Sequence, residues 1–416
     1  MIIMHIDANS AYLSWTAAAL LQKGYRQDLR EIPSAIAGNP ENRHGIILAK
    51  SIPAKKFGIV TGESLFEARR KCPELQVFPP DFDLYLKCSD AMHQILLEYS
   101  PLVQRYSIDE CFLDYTLSEK RFGSPVPVAH EIKDRMKKEL GFTVNIGVSC
   151  NKILAKMGSE LKKPDRVHTL FPEEIAEKMW PLPVEELFMV GRSTAKKLRA
   201  VHIDTIGKLA GADVIYLKAL LKSQGEMVWN YANGIDPSPV TLNDDVADKS
   251  IGNSMTVKYD VTSRKDARMF FLSLCERVGM RLRKNGYKAG LVTVSVKTAG
   301  FQRYSHQKKL YQPVTSTTEI YQHVCRLFDQ CWKGEPLRLL GVSVGELVQA
   351  EAPEQISMFG AEEREKNQAL DQAIDSIREK YGQTAIIRGI FANTGVKAIE
   401  GGTNDGNYIM LGGSST

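Results

Sequence analysis

The stretch YSIDECFLDY, from Tyr106 to Tyr115, most narrows what this chain can fold into. It is aromatic and apolar, as a buried strand is, yet Asp109 and Glu110 stand side by side within it. A buried carboxylate must be desolvated or take up a proton, and two adjacent ones are worse. Successive residues of a regular strand point to opposite faces. If both carboxylates serve one site, they must lie at or beside a hairpin turn, with VQRYSI and CFLDYT as its arms. The apolar strand MIIMHIDAN ends near a third carboxylate, Asp7, which is expected close to the hairpin tip.

Strands and helices interleave up to about residue 170, which indicates an α/β or α+β body. SAYLSWTAAALLQKG reads as a helix stopped near Gly24, DLYLKCSDAMHQILLEYS as a helix with Pro101 past its end, and VPVAHEIKDRMKKELG as an amphipathic helix closed by Gly141. FTVNIGVSC is a further strand and NKILAKMGSELKKP a further helix. Residues 171–236 read as short helical pieces around a glycine-containing turn, and a polar, turn-rich linker follows to about 247. Between 248 and 350 the patterns predict three strands (GNSMTVKYDV, LVTVSVKTAG, LRLLGVSVGEL) and two helices. Residues 362–381 form a polar helix candidate. The Gly/Ser/Asn-rich end is expected to be mobile.

Charge divides along the same lines. Residues 1–247 carry 31 Lys+Arg against 31 Asp+Glu, residues 248–350 carry 17 against 8, and residues 351–416 carry 6 against 10. A basic module on a neutral body points to a polyanion, nucleic acid above all, although a merely solvated basic face reads the same way. No apolar run approaches the roughly 20 residues of a membrane span. Seven scattered cysteines without a CxxC pair suggest neither a disulfide framework nor a zinc site, so a reducing cytoplasm is expected.

Asp7, Asp109 and Glu110 at the ends of adjacent core strands suit a hard divalent cation, because Mg²⁺ takes oxygen ligands, often one or two carboxylates with substrate phosphates. Two such ions roughly 4 Å apart serve phosphoryl transfer. The segments HIDANSAY (5–12), AKKFGI (54–59), SIDECFLDY (107–115), GVSCNKILAKMGSELKKPD (147–165) and FMVGRSTAKKL (188–198) occur in the order and spacing of the Y-family, translesion DNA polymerases. The chain resembles that family from residue 1 to about 350.

The resemblance implies an α+β, multidomain right hand. Its palm is residues 1–11 and 80–170, its fingers 12–79, and its helical thumb with a helix-hairpin-helix 171–236. A linker (237–247), a DNA-binding α/β little finger (248–350) and a tail (351–416) follow. The implied activity is error-prone, template-directed transfer of a dNTP to a primer 3′-hydroxyl on primer–template DNA. Two Mg²⁺ ions serve it, with Mn²⁺ able to substitute, and proofreading is not expected. Asp7, Asp109, Glu110 and the backbone carbonyl of Ala8 match the metal-binding positions, Tyr12 the steric gate against a 2′-hydroxyl, and Lys55 and Lys163 the contacts to triphosphate. Gly191, Arg192 and Lys196 fall in the thumb hairpin. Arg281, Arg283, Lys284, Lys288, Lys297, Arg303, Lys308 and Lys309 are the cations expected along the duplex. Gln355, Met358 and Phe359 in EQISMFG resemble the peptide that binds the bacterial sliding clamp. A monomer without membrane attachment, cytoplasmic and at the nucleoid when on DNA, is implied.

Two positions depart from the pattern. Ile52 stands where many relatives carry a phosphate-contacting tyrosine, which leaves Ser51 or Lys50 to substitute or nucleotide binding weaker. Ser193 replaces a second hairpin glycine. Two other readings remain at this level: a different two-metal enzyme such as a nucleotidyl cyclase, and a non-catalytic DNA-binding protein.

Overall fold

The computed structural model describes residues 1–43, 45–242, 248–352, 361–392 and 394–399. It divides into two compact units, residues 1–38 with 46–246, and residues 39–45 with 247–407, the numbers marking the divisions of the chain.

In chain order the first unit contains β1 (Ile3–Ala8), α1 (Ala11–Gln22), β2 (Ser34–Ala37), β3 (Ile47–Lys50), α2 (Ile52–Lys56), α3 (Leu65–Lys71), β4 (Gln76–Phe78) and α4 (Phe82–Tyr99). There follow β5 (Val103–Arg105), β6 (Glu110–Asp114), α5 (Glu119–Phe122), α6 (Pro125–Arg135), β7 (Val144–Ser149), α7 (Lys152–Glu160) and β8 (Val167–Thr169). Five strands form one sheet in the order β5-β6-β1-β7-β8, and β3-β2-β4 form a smaller one. β1 is central and buried along its whole length. Its alternation sorts its residues: Met4, Ile6 and Ala8 join Trp15, Tyr85, Leu96 and Ile132 in the core under α1, α4 and α6. Ile3, His5 and Asp7 therefore face the other way, where Ile3 packs with Phe112 and Ala155 of α7.

α7 begins with a cap, the Asn151 side chain accepting from Leu154 N–H. It lies close against the sheet because β7 has Gly147 beneath it. A Cβ there would fall 1.9 Å from the Ala155 carbonyl oxygen. Five short helices complete the unit: α8 (Ile175–Lys178), α9 (Arg192–Ala200), α10 (Ile206–Ala210), α11 (Val214–Leu221) and α12 (Ser223–Ala232). Leu198, Ile206, Leu217 and Val228 close a core of their own with Leu154 and Met157.

The second unit is a four-stranded sheet, β11-β10-β12-β9, with helices on one face. Its elements are β9 (Ser250–Val261), α13 (Arg264–Lys284), β10 (Tyr287–Thr298), β11 (Arg303–Val314), α14 (Thr317–Cys331), β12 (Leu337–Gln349) and α15 (Ala361–Tyr381). Val292, Val294 and Val296 pair across to Val344, Val342 and Leu340, and all six are buried with Phe271 and Phe328 of the helices. The intervening Thr293, Ser295 and Lys297, with Gln307, Ser305 and Arg303 of β11, form the opposite face. β11 is a fourth strand that the sequence reading does not contain. It is an edge strand exposed at most positions, so no apolar alternation marks it.

Residues 361–399, which have no assigned role in the sequence, are part of this unit. Phe391, Val396 and Ala398 enter its core. Arg378 Nη1 lies 2.6 Å from Glu276 Oε2, each side chain only 2% exposed, and Arg388 pairs with the other oxygen of Glu276. Asp375 and Asp371 hold Arg283 from α15, at 2.6 and 3.3 Å. Removing one partner of a buried pair strands the other charge. Glu276→Leu leaves the buried Arg378 guanidinium without its carboxylate and is therefore expected to destabilise this unit by about 3–5 kcal/mol in urea denaturation, and adding Arg378→Met to recover part of the loss. An unchanged urea midpoint for Glu276→Leu would show that the pair contributes nothing.

Candidate active site

The backbone sets the site first. Asp109 lies in the turn between β5 and β6, and Glu110 is the first residue of β6. Tyr106 and Ser107 N–H groups both donate to the Glu110 carbonyl, at 2.9 and 3.2 Å, closing the hairpin. Ala8 N–H donates to the Asp109 carbonyl at 2.9 Å, so the hairpin tip is tied to the end of β1. Asp7 and Glu110 are directly paired across the antiparallel ladder, which puts both side chains on the α7 face of the sheet.

On that face Asp7, Glu110 and Glu160 each present a carboxylate oxygen within 4.8 Å of the others. Glu160 comes from the last turn of α7 and was not foreseen. Asp109 is not among these three, and its carboxylate accepts from the Ser107 hydroxyl at 2.6 Å. Two lysines balance the trio. Lys156 Nζ donates to Glu110 Oε2 at 2.6 Å, and Lys163 Nζ lies 3.1 Å from Asp7 and 2.9 Å from Glu160. His5, fully buried beneath them, shares a 2.7 Å hydrogen bond with the Ser159 hydroxyl, its Nε2 lying 3.4 Å from Glu110.

Burial pushes the Asp7 carboxyl up to about 7, against the pull of Lys163 and with Glu110 adding to the rise. Burial acts on Glu110 in the same sense, but the His5 ring and the Lys156 ammonium outweigh it and hold Glu110 well below the usual carboxylate range. Burial brings His5 down to about 4, so its ring is neutral at pH 7. Burial raises Asp109 despite its bond from Ser107. The donors are all hard oxygens, so the set fits Mg²⁺ or Mn²⁺.

The other positions surround this cluster. Tyr12 is in the first turn of α1, its ring stacked on Tyr85 at 4.4 Å between centroids. Lys55 is exposed on α2 and, after burial, is what lowers Lys50. Ile52, the first residue of α2, is 52% exposed. Ser51 cannot replace a tyrosine there, since its hydroxyl donates to the Ile32 carbonyl and accepts from Ala54 N–H. Gly191 caps α9, with Arg192, Ser193 and Lys196 exposed beside it. A cavity of about 470 Å³ beside this hairpin is lined by Lys156, Glu160, Phe188, Met189 and Gly191.

The impB/mucB/samB family model matches residues 6–160, the C-terminal-domain model of that family residues 248–358, and its helix-hairpin-helix motif residues 172–203. The DNA polymerase IV of Clostridium acetobutylicum is 49% identical over 389 residues, 94% of this chain and 98% of that protein. This chain belongs to the bacterial Y-family DNA polymerases. The DNA polymerase IV of Acetivibrio thermocellus is 41% identical over 94% of this chain and 97% of its own length. A Y-family DNA polymerase chimera of known structure, 19% identical, superposes with a TM-score of 0.72 over 84% of this chain and all of its own, which shows the fold. This Y-family member is a DNA-directed DNA polymerase.

In the polymerase, the basic residues of the second unit divide between two faces. Lys297 and Arg303 lie on the open face of the sheet, and Lys309 pairs with Glu346 at 2.8 Å. Lys308 pairs with Val292 in the ladder and so falls on the helical side. Arg281, Arg283 and Lys284 belong to α13, and Lys288 follows it in β10. Arg283, expected among the DNA contacts, is already neutralised by Asp371 and Asp375. Gln355, Met358 and Phe359 lie outside the described residues. Among the described residues no helix is long and apolar enough to cross a membrane.

A carboxyl raised on folding favours the folded state below its ordinary value of 3.8 and opposes it increasingly as pH climbs toward 7. In metal-free buffer, Asp7→Asn is expected to raise the melting midpoint by roughly 2–4 °C at pH 8 and to change little at pH 4. A variant less stable than wild type at pH 8 would show that Lys163 needs Asp7 more than burial penalises it.

Proposed function

We propose that this polymerase extends a primer by nucleotidyl transfer from a dNTP with two divalent cations, inserts opposite damaged template bases, and does so without proofreading. The observation that carries the reading is the pairing of Asp7 with Glu110 at the tip of a hairpin whose turn holds Asp109. Asp7, Asp109, Glu110 and the Ala8 carbonyl would hold the cations. Bound there, the cations supply charge for the attacking and leaving oxygens. Mg²⁺ is the proposed ion, with Mn²⁺ as a substitute.

The chain's own groups position the substrates. Tyr12, its ring fixed against Tyr85, is the proposed steric gate under the sugar. Lys55 and Lys163 meet the triphosphate, and Lys50 is the nearest group able to replace the missing tyrosine. The exposed start of α9, with Gly191, Arg192 and Lys196, suits a phosphate of the duplex without reading its sequence. Lys297 and Arg303, on the open face of the second unit's sheet, are proposed as further duplex contacts. We assign the palm to residues 1–11 and 80–170, the fingers to 12–79, the thumb to 171–236 and the linker to 237–247. The little finger is 248–350, with α15 and Phe391 packed onto it.

Primer extension tests this directly. Asp109→Ala and Asp7→Ala are each expected to slow incorporation by roughly a hundredfold or more. Tyr12→Ala should extend with dNTP and raise ribonucleotide incorporation by at least about tenfold. Wild-type extension undiminished in the carboxylate variants would remove the assignment.

Gln355, Met358 and Phe359 are proposed to dock a working monomer on the bacterial sliding clamp, the apolar pair filling a pocket. Retention on immobilised clamp should be lost in the Met358→Ala/Phe359→Ala double variant. Equal retention would exclude the peptide as the anchor.

A further inference from the structure

The two lysines that balance the carboxylates are held differently. Lys156 is buried on α7, its Nζ 2.6 Å from Glu110 and packed over the rings of Tyr106 and Phe188 at 5.5 and 5.2 Å. It rises from the middle of a helix pressed on the sheet and is fixed. Lys163 lies three residues beyond the end of α7, with 32% of its side chain exposed. It bridges two carboxylates, Asp7 at 3.1 Å and Glu160 at 2.9 Å. Glu160 is itself 43% exposed, so this end of the cluster opens toward solvent while the Lys156 end is closed.

We infer that Lys163 is a placeholder cation and Glu160 its holding group. In the substrate-free enzyme the ammonium occupies the position beside Asp7 that a divalent cation competes for. An arriving triphosphate draws the ammonium away and uncovers Asp7. The inference rests on the proposed reading of Asp7 as a metal-binding carboxylate and adds a coupling to it. Metal and nucleotide then each bind more tightly in the presence of the other, and by the same factor. Free enzyme is kept from filling with metal before a nucleotide is present. Glu160 acts through Lys163 and is a positioning residue. By stabilising the parked ammonium it raises the threshold that the triphosphate must overcome.

The signs of the effects separate this from its competitors. A Glu160 that served only as a metal ligand would, when neutralised, weaken both metal and nucleotide binding. A holding group, when neutralised, frees Lys163 and strengthens nucleotide binding. A general loss of negative field would strengthen nucleotide binding whether or not Lys163 is present.

The experiment uses the full chain without DNA. Free Mn²⁺ is followed by electron paramagnetic resonance, and a non-hydrolysable dNTP analogue by calorimetry. Lys163→Gln is expected to bind Mn²⁺ about tenfold more tightly than wild type in the absence of nucleotide, and Lys163→Arg to stay near wild type. Glu160→Gln is expected to bind the analogue several-fold more tightly, and that gain to vanish in the Lys163→Gln background, as a coupled pair requires. Unchanged Mn²⁺ affinity in Lys163→Gln overturns the inference. So does weaker analogue binding in Glu160→Gln, or a gain that persists without Lys163. A wild type with no Mn²⁺ site sensitive to Asp7→Asn overturns both the inference and the reading of the site beneath it.

Discussion

Asp7 faces Glu110 across two antiparallel strands at the centre of a sheet, and the rest of the site follows from that register. A slip of one residue would send one of the two carboxylates into the apolar core under α1 and α4. With the register fixed, the carboxylates share the face on which α7 lies. α7 in turn can approach only because Gly147 leaves its backbone uncovered. That approach delivers Lys156 to Glu110 and brings Glu160 and Lys163 to Asp7. The assembly is a set of opposed charges in which burial still holds the Asp7 carboxyl raised.

The hairpin was legible because carboxylates inside an apolar, aromatic run are hard to place anywhere else. The strands and helices around it were legible from alternation, helical period and stop signals such as Gly141, whose φ is +76°. Glu160 was not. In GSELKKPD it sits three residues from Lys163 and reads as an ordinary surface pair. Only the depth at which α7 packs turns it toward Asp7. His5 gives no signal either, since a histidine in a strand is unremarkable until its neighbours are known. β11 was missed for the opposite reason. An edge strand with little buried on either side has no pattern to find.

Charge along the sequence also needed folding to be interpreted. A basic module and an acidic tail look like separate actors. In the folded chain Asp371 and Asp375 of the tail neutralise Arg283, and Glu276 of the module is held by Arg378 and Arg388. Part of the module's positive charge is thus consumed internally, on the helical side. On the sheet side Lys297 and Arg303 are not among these pairs.

That open face has a further property. Between its cations it presents Thr293, Ser295, Ser305, Gln307, Gly341 and Ser343, mostly short hydroxyl side chains or none. Apart from Gln307 and the two cations, these side chains are too short to reach a base edge in a groove. A polyanion held by such a surface is gripped almost equally well one step further along. A duplex lying on this face, as proposed above, would be held through its phosphates at Lys297 and Arg303 more than through its bases.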